Sequence, residues 1–131
     1  MKVLALDYGA ARTGVAVSDA TGTIARPLTV VEHAATEVGL RRLAALVEAE
    51  GAERVVVGLP LTLRGDEGAQ ARETVAFVEA LRGVVVVPVE SFDERFTTRL
   101  AARGPSAHAA EDARAAAHLL ESYLQRTAAL P

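Results

Sequence analysis

The chain is expected to be an α/β protein built on a five-stranded mixed sheet: three antiparallel meander strands, then two parallel strands, with helices on both faces. Three observations lead there. Apolar residues alternate with polar ones up to about residue 31 but form continuous runs after Gly51. Alternation marks a strand covered on one face, and a continuous run marks one covered on both. Stretches of helical periodicity separate the later runs, and strand–helix–strand order implies parallel pairing through right-handed crossovers. With 131 residues, half of them hydrophobic and 24% charged, the composition suits one compact domain over 1–131.

The elements follow in order. Lys2 to Asp7 and Thr13 to Ser18 ("TGVAVS") read as the first two strands. "IARPLTVV" at Ile24 to Val31 reads as the third, where Pro27 requires an edge or a bulge. Short links between the three predict a meander. Thr36 then has the chemistry of a helix N-cap, with Leu40, Leu43, Ala44 and Val47 at helical spacing and Gly51 as a C-terminal stop. "RVVVG" at Arg54 to Gly58 predicts the fourth strand, and "VVVVPV" at Val84 to Val89 the fifth. The helix between them spans roughly Ala69 to Arg82, with Val75, Val78 and Leu81 on one side and Gly83 closing it. A short helical stretch is expected after Ser91, and a longer helix from about Glu111 to Arg126.

Composition excludes several function classes. No apolar run reaches the roughly 18 to 20 residues of a membrane span, and the N-terminus has no basic stretch leading into a signal-type core, so the expectation is cytoplasmic with no membrane partner. Without cysteine there is no disulfide, thiolate nucleophile or thiolate metal site. A metal would be held by oxygen or by the three histidines, which are read as non-ligands; His108 and His118 stand ten apart, unlike a helical metal pair. The formal charge of -3 offers no overall electrostatic footprint for a polyanion, so any such binding is local.

In open α/β sheets the ligand crevice lies beyond the carboxyl ends of the parallel strands, and acids there are candidates for chemistry. Asp7 ends the first strand; its plain structural role would be to accept hydrogen bonds from the "YGAARTG" turn. Glu90, Asp93 and Glu94 cluster after the fifth apolar run, where Ser91 and Glu94 also fit a capping box and Asp93 a helix cap. Asp112 opens the last helix, a position that also favours an acid through the helix dipole. Ala115, Ala116 and Leu119 share its helix face, and small residues there allow a close approach to the sheet that aims Asp112 at the crevice. Like charges gathered in a partly desolvated site repel, and a divalent cation relieves that repulsion. Mg²⁺ or Mn²⁺ suits an all-oxygen shell, and displacement at phosphorus is the chemistry such sites support.

"ALDYGAARTGVAVSD", "VVVGLPLTLRGDEGAQA", "DERFTT" and "EDARAAAHLLESYL" resemble, in order and spacing over nearly the whole chain, the YqgF family, also called RuvX. The resemblance implies a ribonuclease H-like fold and a cytoplasmic bacterial nuclease. It also implies maturation of the 5′ end of the pre-16S ribosomal RNA, or Holliday junction resolution on DNA. Its acidic site carries over onto Asp7, Asp112 and the "DER" pair, in which Asp93 and Glu94 are both candidates and Glu94 is favoured; Asp7, Glu94 and Asp112 would be the metal ligands. Arg12, Arg64 and Arg95 would face the substrate, and their plain alternative is a solvated surface arginine. Family members carry several basic residues before the final acid, whereas this chain has "RGPSAHAAEDA" from Arg103 to Ala113. Phosphate contacts supply most nucleic-acid affinity, which leaves weak binding, a ribosomal or processing partner protein, or protonated His108 to account for the difference. RNA is favoured with DNA open, and monomer and homodimer both stay open.

Two other classes compete. Asp7, Gly9 and Gly14 also resemble the phosphate loop of actin-like ATPases and sugar kinases, but those enzymes close two domains, each about the size of this chain, around the nucleotide. A non-catalytic interaction domain would use the acids as caps and the "GLPL" turn as a docking surface.

Overall fold

Side chains alternate faces along the first strand, and the rest of the molecule divides accordingly. A computed structural model of the chain describes residues 1–61, 64–65, 67–94 and 109–128. The strands are β1 (Val3–Asp7), β2 (Arg12–Ser18), β3 (Ala25–Glu32), β4 (Arg54–Leu59) and β5 (Val89–Asp93), and the helices are α1 (Glu37–Glu50), α2 (Ala69–Arg82) and α3 (Ala109–Ala128). The sheet order is β3-β2-β1-β4-β5. β1 pairs antiparallel with β2 and β2 with β3, while β1–β4 and β4–β5 are parallel. This is the expected mixed sheet.

Leu4 and Leu6 of β1 join Val15, Val55 and Val57 in a core with Leu43 and Val47 of α1 and Phe77, Val78 and Leu81 of α2. Val3 and Ala5, on the opposite face, join Ala16 and Val56 in a second core with Ala116, Leu119, Leu120, Tyr123 and Leu124 of α3. Helices therefore cover both faces, and the central strands are apolar on both. The second core is stitched at the amino end of β4, where Arg54 Nη1 lies 3.0 Å from the Tyr123 hydroxyl and that hydroxyl donates to the Glu90 carboxylate. Burial, and then the hydrogen bond to Glu90, holds the Tyr123 hydroxyl above the usual phenol range.

Local rules explain most boundaries. The Thr36 hydroxyl accepts from Gly39 N–H at 3.1 Å and opens α1, and Gly51 closes it in the left-handed conformation at φ 66°. Pro27 lies on the edge strand, which needs no N–H there. The β2–β3 register also slips beside it, Val15 facing Thr29 and Ala16 facing Pro27, so edge and bulge coincide.

Three expectations are corrected. The fifth strand is Val89–Asp93, not Val84 to Val89: Val84 to Val87 form the turn leaving α2, with Val86 wholly exposed and Val85 and Val87 partly buried against the core. The amides of Val84 and Val85 are taken by Leu81 O, and Pro88 has no N–H, so pairing with β4 starts only where Val55 N–H reaches Pro88 O. Ser91 consequently belongs to β5 and does not open a capping box; the short helix expected beyond it lies largely outside the described residues. On α2, Val75 is 37% exposed, and Ala71, Thr74 and Phe77 join Val78 and Leu81 as the buried positions.

Candidate active site

The acids gather at the carboxyl ends of β1, β4 and β5, on the face covered by α3. Asp7 follows Val3 and Ala5 in the alternation, which places its side chain toward α3, and it is buried. Its two neighbours in the sheet are both glycines. Gly14 of β2 is its antiparallel partner. Across the parallel pair Leu6 is level with Val57, so the next residue, Gly58 of β4, is level with Asp7.

Each glycine admits another acid. A Cβ built on Gly14 would stand 2.5 Å from the carbonyl carbon of Asp112 and closer still to its oxygen, so only a glycine lets the first turn of α3 lie on the sheet here. A Cβ built on Gly58 would stand 2.6 Å from Glu94 Oε1 and 2.9 Å from its Cγ, so the Glu94 side chain lies directly over the β4 glycine. The backbone of Asp112 and the carboxylate of Glu94 thus flank Asp7 on either side. Asp93 is set apart by parity. It pairs with Leu59 and follows Phe92, whose ring packs edge-on against Tyr123 of α3 at 5.6 Å, so alternation turns Asp93 toward the opposite face.

Asp112 is buried, and its Oδ2 has no well-formed hydrogen bond. Arg12 is its cationic neighbour among the described residues, with Nε 3.1 Å from that oxygen. Arg12 opens β2 two residues before Gly14 and on the same face. The turn between Asp7 and Arg12 is held by the Thr13 hydroxyl, which contacts Gly9 O at 3.3 Å and Gly9 N at 3.4 Å. Among the described residues, no three acidic or histidine side chains surround a common point closely enough to hold a metal. The donor chemistry nevertheless suits a hard divalent cation: all-oxygen ligands, of which Asp112 Oδ2 is buried without a hydrogen bond.

The other candidates are more scattered. Arg64 is exposed in the link between β4 and α2, while Arg95 and His108 lie outside the described residues. His33 and His118 are exposed, and His118 Nδ1 lies 3.9 Å from Glu121. Sequence reasoning missed the roles of Gly14 and Gly58 and the pairing of Arg12 with Asp112. A glycine inside an apolar strand marks close approach, and that signal was present in "TGV" and "VVVG".

The family model for RuvX, described as Holliday junction resolvase, matches residues 1–126. A protein of Chloroflexus aggregans named "Putative pre-16S rRNA nuclease" is 49% identical over 96 residues, covering 73% of this chain and 68% of that protein. One of the same name from Anaeromyxobacter sp. is 44% identical over 132 residues, covering 95% of this chain and 96% of that protein. Among solved structures, Thermus thermophilus RuvC in complex with a Holliday junction substrate superposes with a TM-score of 0.63 at 18% identity, covering 98% of this chain and 96% of that one. That likeness supports the fold.

Proposed function

We propose that this chain, which belongs to the RuvX family, is a cytoplasmic, metal-dependent nuclease that hydrolyses phosphodiester bonds in RNA and serves maturation of the 5′ end of pre-16S ribosomal RNA. The observation that carries the reading is the row of Gly14, Asp7 and Gly58 across three strands, with Asp112 and Glu94 lying over the two glycines. Gly14 lets the backbone of α3 rest on the sheet, but the room over Gly58 is taken by the Glu94 side chain and serves no packing of the core. A glycine there has an advantage if the carboxylates must approach each other.

In this reading Asp7, Glu94 and Asp112 hold Mg²⁺ or Mn²⁺, and Asp93 lies on the other face of β5. A bound divalent cation supplies Lewis acidity against the charge developing at phosphorus and makes a hydroxide nucleophile available near neutral pH. The chain supplies the anionic pocket and its rigidity: Asp7 is fixed in a central strand, and Asp112 is held by the contact of its backbone with Gly14. By resemblance, Arg64 and Arg95 would meet substrate phosphates. With a formal charge of -3, binding should be weak and steeply salt-dependent, favour unpaired strands, and gain from a ribosomal or processing partner.

Resolution of Holliday junctions is the second reading, favoured by the description of the matching family model. Cleavage of matched single-stranded RNA, single-stranded DNA and four-way DNA junctions, with Mn²⁺ and with EDTA, separates the two. The RNA reading expects Mn²⁺-dependent cleavage of RNA that EDTA abolishes. Tight, salt-insensitive binding and cleavage of four-way junctions would replace it with resolution, and cleavage unaffected by EDTA would refute the metal dependence.

A further inference from the structure

We propose that Arg12 is the built-in counter-charge of Asp112: a positioning residue that holds this carboxylate at the crevice and must yield it to a divalent cation. The inference rests on the metal-site reading above and assigns the site its own competitor. Arg12 would otherwise be taken for a contact to substrate phosphate, but its Nε stands 3.1 Å from Asp112 Oδ2. The carboxylate side chain is 9% exposed and the arginine 40%. Oδ2 accepts no well-formed hydrogen bond, so the guanidinium acts on it through charge more than through direction.

The two partners differ in their freedom to move. Asp112 sits in the first turn of α3 with its backbone against Gly14, and its carboxylate has little room to follow a departing partner. Arg12 is the first residue of β2, beside the turn, and its side chain is far more exposed than the carboxylate it faces. A cation arriving at Oδ2 therefore meets a positive group already in place, one that it can displace. Removing that group should tighten cation binding. At a separation of a few ångströms, with the screening expected for a half-exposed arginine, the gain is about tenfold in affinity.

The test is Mn²⁺ titration, by paramagnetic resonance or calorimetry, of the wild type, Arg12→Gln, Arg12→Lys, Asp112→Asn and the Arg12→Gln/Asp112→Asn double variant. Arg12→Met, which keeps the stem and loses the charge, serves as a second neutral variant, and thermal melting in EDTA checks that each protein folds. Arg12→Gln and Arg12→Met should bind Mn²⁺ about tenfold tighter, and Arg12→Lys should stay within about twofold of wild type because the charge remains. In the Asp112→Asn background, Arg12→Gln should change nothing. Neutral variants that bind Mn²⁺ as wild type does, or more weakly, overturn the proposal, as does a gain that survives Asp112→Asn. Absence of Mn²⁺ binding in wild type and neutral variants alike overturns both this proposal and the metal reading. Arginine-dependent Mn²⁺ binding by a protein that cleaves no nucleic acid leaves the counter-charge standing and refutes the nuclease.

Discussion

Gly58→Ala separates the fold of this protein from its proposed chemistry. The new methyl would lie 2.6 Å from Glu94 Oε1, 2.9 Å from Cγ and 3.1 Å from Cδ, with no backbone atom among those contacts. An ordinary contact at Cβ needs about 3.4 Å, so the carboxylate must retreat by about 0.8 Å, and the end of a glutamate can do so without moving β4. The fold should tolerate the change, because alanine is favoured over glycine inside a strand by about 0.5–1 kcal/mol. Catalysis should not, because misplacing a reacting group by about 1 Å costs on the order of 10²-fold. The assay is Mn²⁺-dependent cleavage of single-stranded RNA beside thermal melting, with Asp93→Asn as the comparison. We expect Gly58→Ala to melt at or above the wild-type temperature and to lose about 10- to 100-fold in rate, and Asp93→Asn to keep most of its rate. A folded Gly58→Ala protein with the wild-type rate would refute Glu94 as the second acid. A large loss of rate in Asp93→Asn alone would transfer that role to Asp93.

Other outcomes follow from the same geometry. Asp7→Asn removes charge while keeping shape, so cleavage should fall by orders of magnitude while the melting temperature in EDTA is unchanged or raised; a variant destabilised by about 1 kcal/mol and fully active would reduce Asp7 to a turn acceptor. Gly14→Ala drives a methyl into the backbone of Asp112, which cannot swing aside, and should cost about 1–3 kcal/mol by denaturant unfolding together with activity; wild-type stability would show that α3 does not rest on β2 there. Away from the site, the Asp19 carboxylate accepts from Ile24 N–H, the Thr21 hydroxyl and Thr23 N–H, and these bonds hold its pKa down at about 2. A carboxylate with a depressed native pKa stabilises the fold above its unfolded value of about 3.9 and loses that contribution as pH falls toward 2. A carbon-detected NMR titration of Asp19 with a midpoint near 4 would refute the turn as drawn.

Much of the architecture could be read from neighbouring residues because the forces that set it are local. Apolar runs bounded by turn residues mark the strands, although β1 and β2, which alternate in the sequence, are buried on both faces, and Thr36 and Gly51 bracket α1 through hydrogen bonds spanning only three or four residues. Pro27 announced an edge because a missing N–H is tolerable only there or at a bulge. Asp7 and Asp112 could be singled out for the same reason: a strand end and a helix start are local features, and general topology places both at one mouth of the sheet.

What needed the tertiary structure depended on register, which hydropathy does not encode. Val84 to Val87 are as apolar as any strand in the chain, yet the end of α2 takes their first amides and Pro88 offers none, so pairing begins at Val89. That register decides the parity of the residues of β5. It turns Glu94 toward Asp7 and Asp93 away, a choice two adjacent acids in one helix-capping context could not reveal. Gly14, Gly58 and Arg12 acquire their meaning only across strands and from α3, over separations that periodicity cannot span. The residue types able to do the chemistry were thus evident in the sequence, and the pairing of strands decided which of them face one another.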